Sequence, residues 1–182
     1  MPLNASQIAA FASKEKQLND AIHRTFPFRD CGKKKRFQEW SDACEAWHSY
    51  QSPLEKFWSD EFKSLVQSGD RSAINELITY LEVDPYYFRS GYLKGRLARI
   101  IKGSPRAIED DRRLRGVIWN RAGGHGRQEF REYCRLATRI STPSFRDAVA
   151  KKAKLFNGRN FKMLLIRKES PAKKRRSNRS HL

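Results

Sequence analysis

Gly123-Gly124-His125-Gly126-Arg127-Gln128-Glu129-Phe130-Arg131-Glu132-Tyr133-Cys134-Arg135-Leu136-Ala137-Thr138-Arg139-Ile140 carries two superposed periods. Arginine recurs every fourth residue, at 127, 131, 135 and 139, while Phe130, Tyr133, Cys134, Ala137 and Ile140 recur at steps of three and four. Both are helical steps. At about 100° per residue the arginine ridge falls roughly opposite the apolar stripe, so one face packs on a core while the other offers guanidinium groups to solvent or to a ligand. The plainer reading of the ridge is a solvated face, helped by Glu132, which is placed to pair with Arg135 at i+3 or with Gln128 at i−4.

The same period extends in both directions from this stretch. Upstream, Ile8, Phe11, Leu18 and Ile22 share a helical face over about residues 4–24, with Asn4 or Ser6 as cap and Pro27 as stop. Phe37, Trp40, Cys44 and Trp47 form the aromatic seam of a second helix, for which core is the expected role. Ser52-Pro53-Leu54-Glu55 has the form of a helix start, with serine as cap, proline at the first helical position and glutamate closing a capping box. Leu54, Phe57, Trp58, Phe62, Leu65 and Val66 follow, and Gly69 ends the segment. Asp70 caps a helix striped by Ile74, Leu77, Ile78 and Leu81, so the two helices form an antiparallel hairpin.

Asp84-Pro85, Ser104-Pro105 and Thr142-Pro143 repeat the pattern of cap then proline. They predict a helix through Phe88, Leu93, Leu97 and Ile101, another through Ile108, Leu114, Val117 and Trp119, and a last through Phe145, Val149 and Ala153. Residues 160–167 fit either a strand or a short final helix. From Arg167 onward the chain is Lys, Arg, Ser, Asn and Pro with almost nothing apolar, the composition of a disordered tail. The expected fold is all-α, about eight helices in stacked antiparallel hairpins over one domain, 1–166, with an N-terminal helix pair over 1–50, three hairpins over 53–156 and a basic tail over 167–182.

Helical hairpins of this size, with helix starts such as Asp84-Pro85 and Thr142-Pro143, resemble HEAT-type α-solenoid repeats over about residues 53–156. The proline spacing varies, with Pro53 to Pro85 spanning 32 residues and Pro105 to Pro143 spanning 38. The resemblance implies stacked hairpins with a concave surface for a large partner and implies no catalytic residue. A compact, non-repeating helical bundle is the alternative architecture.

Charge is divided unevenly along the chain. Residues 1–85 hold 11 Lys+Arg against 13 Asp+Glu, net −2, and residues 86–182 hold 27 against 7, net +20. Such an imbalance attracts polyanions: nucleic acid, an anionic surface or an acidic protein. The candidate phosphate contacts are Arg127, Arg131, Arg135 and Arg139, joined by Arg89, Arg96 and Arg99 on one predicted helix, Arg112 and Arg113 on the next, and Lys151 and Lys152 on the last. Lys173, Lys174, Arg175 and Arg176 add a cationic arm, which in a eukaryotic cell also suits a nuclear address. Arginine outnumbers lysine 22 to 16, and its planar fork suits bidentate phosphate contact. The expected function is nucleic-acid binding, DNA or RNA, without catalysis; the alternative is an adaptor whose positive face docks an acidic protein.

Other chemistry finds less support. Gly123-Gly124-His125-Gly126 lacks the preceding strand and the Lys-Ser/Thr ending of a phosphate loop. Cys44 and His48 sit one helical turn apart with Cys31 and His23 upstream, but the set lacks the paired short spacings of zinc modules, so no metal or other cofactor is expected. Tyr86, Tyr87 and Tyr92 fit core or base-stacking roles, or an enzyme built from scattered acids and tyrosines, and no catalytic signature supports the last. Three cysteines, an odd number, with no apolar leader and no run of 18 apolar residues, point to a soluble protein of a reducing, cytoplasmic or nuclear compartment.

Overall fold

The computed structural model describes residues 1–123, 129–156 and 159–166, and the expected tail, 167–182, lies outside the described residues. Every regular element among the described residues is helical. The α-helices are α1 (Ala5–Thr25), α2 (Lys34–Ser49), α3 (Asp60–Ser68), α4 (Arg71–Val83), α5 (Ser90–Gly103), α6 (Ile108–Ala122), α7 (Phe130–Ile140), α8 (Pro143–Phe156) and α9 (Arg159–Ile166), with short 3-10 turns at Phe26–Phe28 and Pro53–Trp58. Residues 160–166, open to either reading from sequence, are helical.

Helix ends follow side-chain chemistry. Asn4 and Gln7 form a reciprocal capping box at the start of α1, each side chain accepting from the other's backbone N–H at 3.0 and 2.9 Å. Asp70 Oδ1 accepts from Ala73 N at 2.8 Å to open α4, and Gly69, at φ +89°, closes α3 in the left-handed region that glycine enters without steric cost. Thr142 and Pro143 start α8 as expected, with Phe145 N donating to Thr142 Oγ1 at 3.2 Å.

The other three proline sites correct the expectation. Ser52-Pro53 opens a 3-10 turn, and the α-helix begins only after Ser59, whose Oγ accepts from Phe62 N at 3.0 Å. The second serine competes successfully for the cap because the intervening turn drives Leu54 and Phe57 into the core. Past Asp84-Pro85 the chain runs irregularly to Arg89 before α5 begins, and past Ser104-Pro105 it waits for Asp110, which caps Ala107 N at 2.8 Å. At two of the three sites a later side chain, Ser59 or Asp110, accepts from a backbone N–H where the α-helix begins, whereas α5 starts after Arg89 with no side-chain cap.

Packing alternates along the chain. α3, α5, α7 and α9 lie against one another in succession, α4 packs on α6, and α1 lies over α4 and the Pro53–Trp58 turn. A single apolar cluster runs from Ile8 to Phe161, with Phe57 at its centre, its ring 5.0 Å from Phe62 and 4.7 Å from Tyr80. α2 packs on α1 and the Phe26–Phe28 turn and buries none of its residues. The expected core seam of Phe37, Trp40, Cys44 and Trp47 is therefore a partly solvated face: Phe37 is 46% exposed and the others are half-buried. The reason is position, since α1 and the turn cover one side of α2 only.

Buried polar groups tie the layers. Glu76 of α4 accepts from Leu3 N at 2.5 Å and pairs with Lys56. Arg71 grips Asp110 through two bonds of 2.6 and 3.0 Å, and that contact holds the Asp110 carboxyl below the usual range. Glu15 of α1 is buried against Ser52 Oγ, and desolvation raises its pKa above the ordinary glutamate value, with Glu55 adding to the rise and the serine hydrogen bond opposing it.

The sign of the Glu15 effect follows by linkage. The folded protein binds this proton more tightly than the unfolded chain, so the contribution to stability is complete below the ordinary glutamate pKa and is lost as pH rises through the elevated folded value. Glu15→Gln keeps an acceptor for Ser52 and removes the buried charge. The variant is expected to melt above the wild type at pH 7, with the difference closing near pH 4; equal differences at both pH values would refute the assignment.

Candidate nucleic-acid interface

The site is built on α5 and α7. α5 buries Leu93, Leu97, Ala98 and Ile101, which leaves Tyr92 and Arg99 exposed and Arg96 half-buried on the opposite side, following Arg89 at steps of three and four. α7 buries Phe130, Tyr133, Cys134, Leu136, Ala137 and Ile140 and exposes Arg131 and Arg139, with Arg135 half-buried. The double period of the ridge is realised over 130–140; Arg127 lies outside the described residues.

Two glycines set the spacing between these helices. A Cβ on Gly95 would lie 3.7 Å from Glu132 Cγ and 3.8 Å from Glu129 Cβ, and one on Gly91 only 3.1 Å from Glu129 Oε2. The start of α7 therefore rests directly on the backbone of α5. Glu132 lies in the seam, paired with Arg135, so this acid offsets one arginine of the ridge.

Beneath the surface sits a charged cluster. Lys94, at 0% exposure, donates to Asp84 Oδ1 at 2.7 Å and to Pro85 O at 3.1 Å, and stands 3.6 Å from Glu129 Oε1. Arg121 of α6 pairs with the other oxygen of Asp84. Two cations thus face two carboxylates. The cluster fixes the connection from Asp84 to Arg89, whose two ends both take left-handed backbone, φ 49° at Asp84 and 65° at Arg89. Tyr87 points inward from this connection and shares a 2.8 Å hydrogen bond with Tyr80. Burial raises the pKa of both hydroxyls, so they serve as neutral hydrogen-bonding partners in the core. Tyr86 and Phe88 face outward.

The other predicted contacts are placed as follows. The Arg89 guanidinium stacks over the Trp58 ring at 5.4 Å from its centroid. Arg96 donates to Trp58 O at 3.0 Å and to Asp60 at 3.3 Å. Arg99 bonds the Gly95 carbonyl of its own helix. Arg112 pairs with Glu109 in the first turn of α6, and Arg113 clamps α6 to α4 through Glu82 at 2.6 and 2.8 Å and Asn75 at 2.6 Å. Lys151 is exposed and Lys152 half-buried on α8. Lys173, Lys174, Arg175 and Arg176 lie outside the described residues. Arg131 and Arg139 have no ion-pair partner among the described residues. The structure thus brings the arginines of α5 and α7 to adjacent helices and commits Arg113 to holding the fold.

No protein family, curated protein or solved structure matches the chain.

Further features complete the surface. A cavity of about 570 Å³ opens between α7, α8 and α9 beside Thr138, its apolar walls formed by Ala137, Phe145, Val149 and Leu164 and its rim by Arg146 and Asp147. Neighbouring opposite charges give that rim no net preference for an anion. No three His, Cys, Asp or Glu side chains gather to hold a metal ion among the described residues, and no described helix is long and apolar enough to cross a membrane. Sequence reasoning passed over the Lys94 cluster. Its signal was a lysine within the apolar stripe of α5, one turn before Ala98 and flanked by Leu93 and Gly95.

Proposed function

We propose that this protein binds nucleic acid, alone or as an accessory subunit, and that the exposed arginines of α5 and α7 contact phosphates. The observation that carries this reading is the amphipathicity of α7: an apolar face in the core, and Arg131 and Arg139 projecting outward with no acid to neutralise them among the described residues. Arg99 on the neighbouring helix widens the positive strip. Contacts of this kind fix affinity and position without sequence choice. Helical layers arranged as in HEAT-type solenoids, part of the same proposal, suit a long polyanion because successive helices repeat the positive surface.

The test is fluorescence anisotropy of a labelled 20-base-pair duplex between 50 and 200 mM salt, comparing the full chain with Arg99→Ala/Arg131→Ala/Arg139→Ala. If all three residues contact phosphate, the variant binds more weakly and the slope of log affinity against log salt flattens by about 2.7, at roughly 0.9 per contact. An unchanged slope, or absent saturation with this duplex and with single strands of the same length alike, sinks the reading. A second reading, docking of an acidic protein on the positive face, draws on a separate observation: the unburied aromatic side of α2, since aromatic residues are enriched where proteins meet. It predicts one-to-one binding to a single acidic protein and only weak, unsaturable association with polynucleotide.

A further inference from the structure

The positive strip on α5 is interleaved with exposed aromatic rings, and duplex phosphate binding gives those rings no task. Tyr86 is 66% exposed and Tyr92 62% exposed, while Tyr87 between them is locked in the core. Tyr86 is held outward by three anchors on its connection: the Tyr87 hydroxyl on Tyr80, the Pro85 carbonyl on buried Lys94, and Tyr87 N on Ser90 Oγ at 3.2 Å. A large ring carried outward on an anchored backbone needs less ordering on binding than one carried on a mobile loop. Arg89, Tyr92, Arg96 and Arg99 then succeed one another along one side of the helix start, cation, ring, cation, cation.

We propose that this strip is a single-strand platform, with nucleobases stacking on Tyr92 and Tyr86 while Arg89 and Arg99 hold the flanking phosphates. The proposal rests on the nucleic-acid reading above and narrows its substrate to unpaired DNA or RNA. In a duplex the base faces are covered by their neighbours, so an aromatic ring reaches them only after unstacking. In a single strand each base offers a free face, and successive bases stack on aromatic side chains within a positive groove. Arg89 to Arg99 spans ten residues, about 15 Å of helix, a length over which a single strand runs for several nucleotides, within the roughly 4–16 of known single-strand modules. Stacking tolerates any base, so the platform selects strandedness and not sequence.

The experiment is anisotropy at near-physiological salt with the full chain and three labelled probes: a 20-mer of thymidylate, a 20-mer of uridylate, and a 20-base-pair duplex. The proteins compared are wild type, Tyr92→Ala, Tyr92→Phe and Tyr86→Ala. The expected result is tighter binding of a single-stranded probe than of the duplex. Loss of the Tyr92 ring should weaken single-strand binding about 5- to 100-fold, Tyr92→Phe should retain it, and duplex affinity should stay within twofold throughout. The two single-stranded probes report whether DNA or RNA is preferred. If Tyr92→Ala and Tyr86→Ala both leave single-strand affinity unchanged, or the duplex binds as tightly as the single strands, the platform is overturned while salt-dependent duplex binding lost in the arginine variant preserves the broader reading. If no probe binds saturably, both fall.

Discussion

Lys94→Ala is expected to lower the unfolding free energy by about 3–5 kcal/mol, the usual cost of removing one partner from a buried ion pair. The lysine is fully buried between Asp84 and Glu129. Truncation leaves Asp84 with Arg121 but strips Glu129 of its cation, so a carboxylate remains in a site where water does not compensate it. It also frees Pro85 O, one of the anchors of the 84–89 connection. Urea unfolding measures the loss. Lys94→Met/Glu129→Gln, which fills the volume and removes the stranded charge, should recover part of it. A loss below 1 kcal/mol for the single change would mean that water reaches the cluster.

Phe57→Ala should cost about as much, roughly 3–5 kcal/mol by cavity formation at a site with no room to relax. The ring is fully buried and contacts Phe62 and Tyr80. The informative control is Phe37→Ala on α2, where nearly half the side chain already meets solvent; its expected cost is under 1 kcal/mol. Thermal or urea unfolding of the two variants side by side tests the difference, and equal losses would place α2 in the core after all.

That contrast shows what local sequence conveys and what it does not. Phe57 and Phe37 stand in equally convincing apolar stripes, because periodicity reports which side of a helix is apolar and says nothing about whether a second element arrives to cover it. α4, capped by Asp70, was legible throughout, and α7 was legible over 130–140, both being sharply two-faced. Thr142-Pro143 was legible as a helix start, whereas Ser52-Pro53, Asp84-Pro85 and Ser104-Pro105 were not, since Ser59 and Asp110 supply competing caps and Lys94 fixes the 84–89 connection from a helix later in the chain.

The candidate site divides in the same way. The arginine spacing of α7 and the Glu132–Arg135 pair at i+3 were written in the local pattern. That Arg113 is spent on Glu82 and Asn75, or that Arg89 stacks on Trp58, depends on partners about 30 to 40 residues away that only the fold brings near. Tyr86, Tyr87 and Tyr92 are chemically alike in the sequence; the hydrogen bond between Tyr87 and Tyr80 sorts one into the core and leaves two in water.

The left-handed backbone at Arg89 has a meaning apart from its contacts. A residue with a Cβ gives up roughly 1–2 kcal/mol in that region, which glycine would not. Folding alone therefore prefers glycine at 89, and the chain carries instead a long cation that begins no cap hydrogen bond and covers only the face of one indole. The proposed phosphate contact would account for that choice, with backbone strain kept at a position whose side chain the binding surface uses.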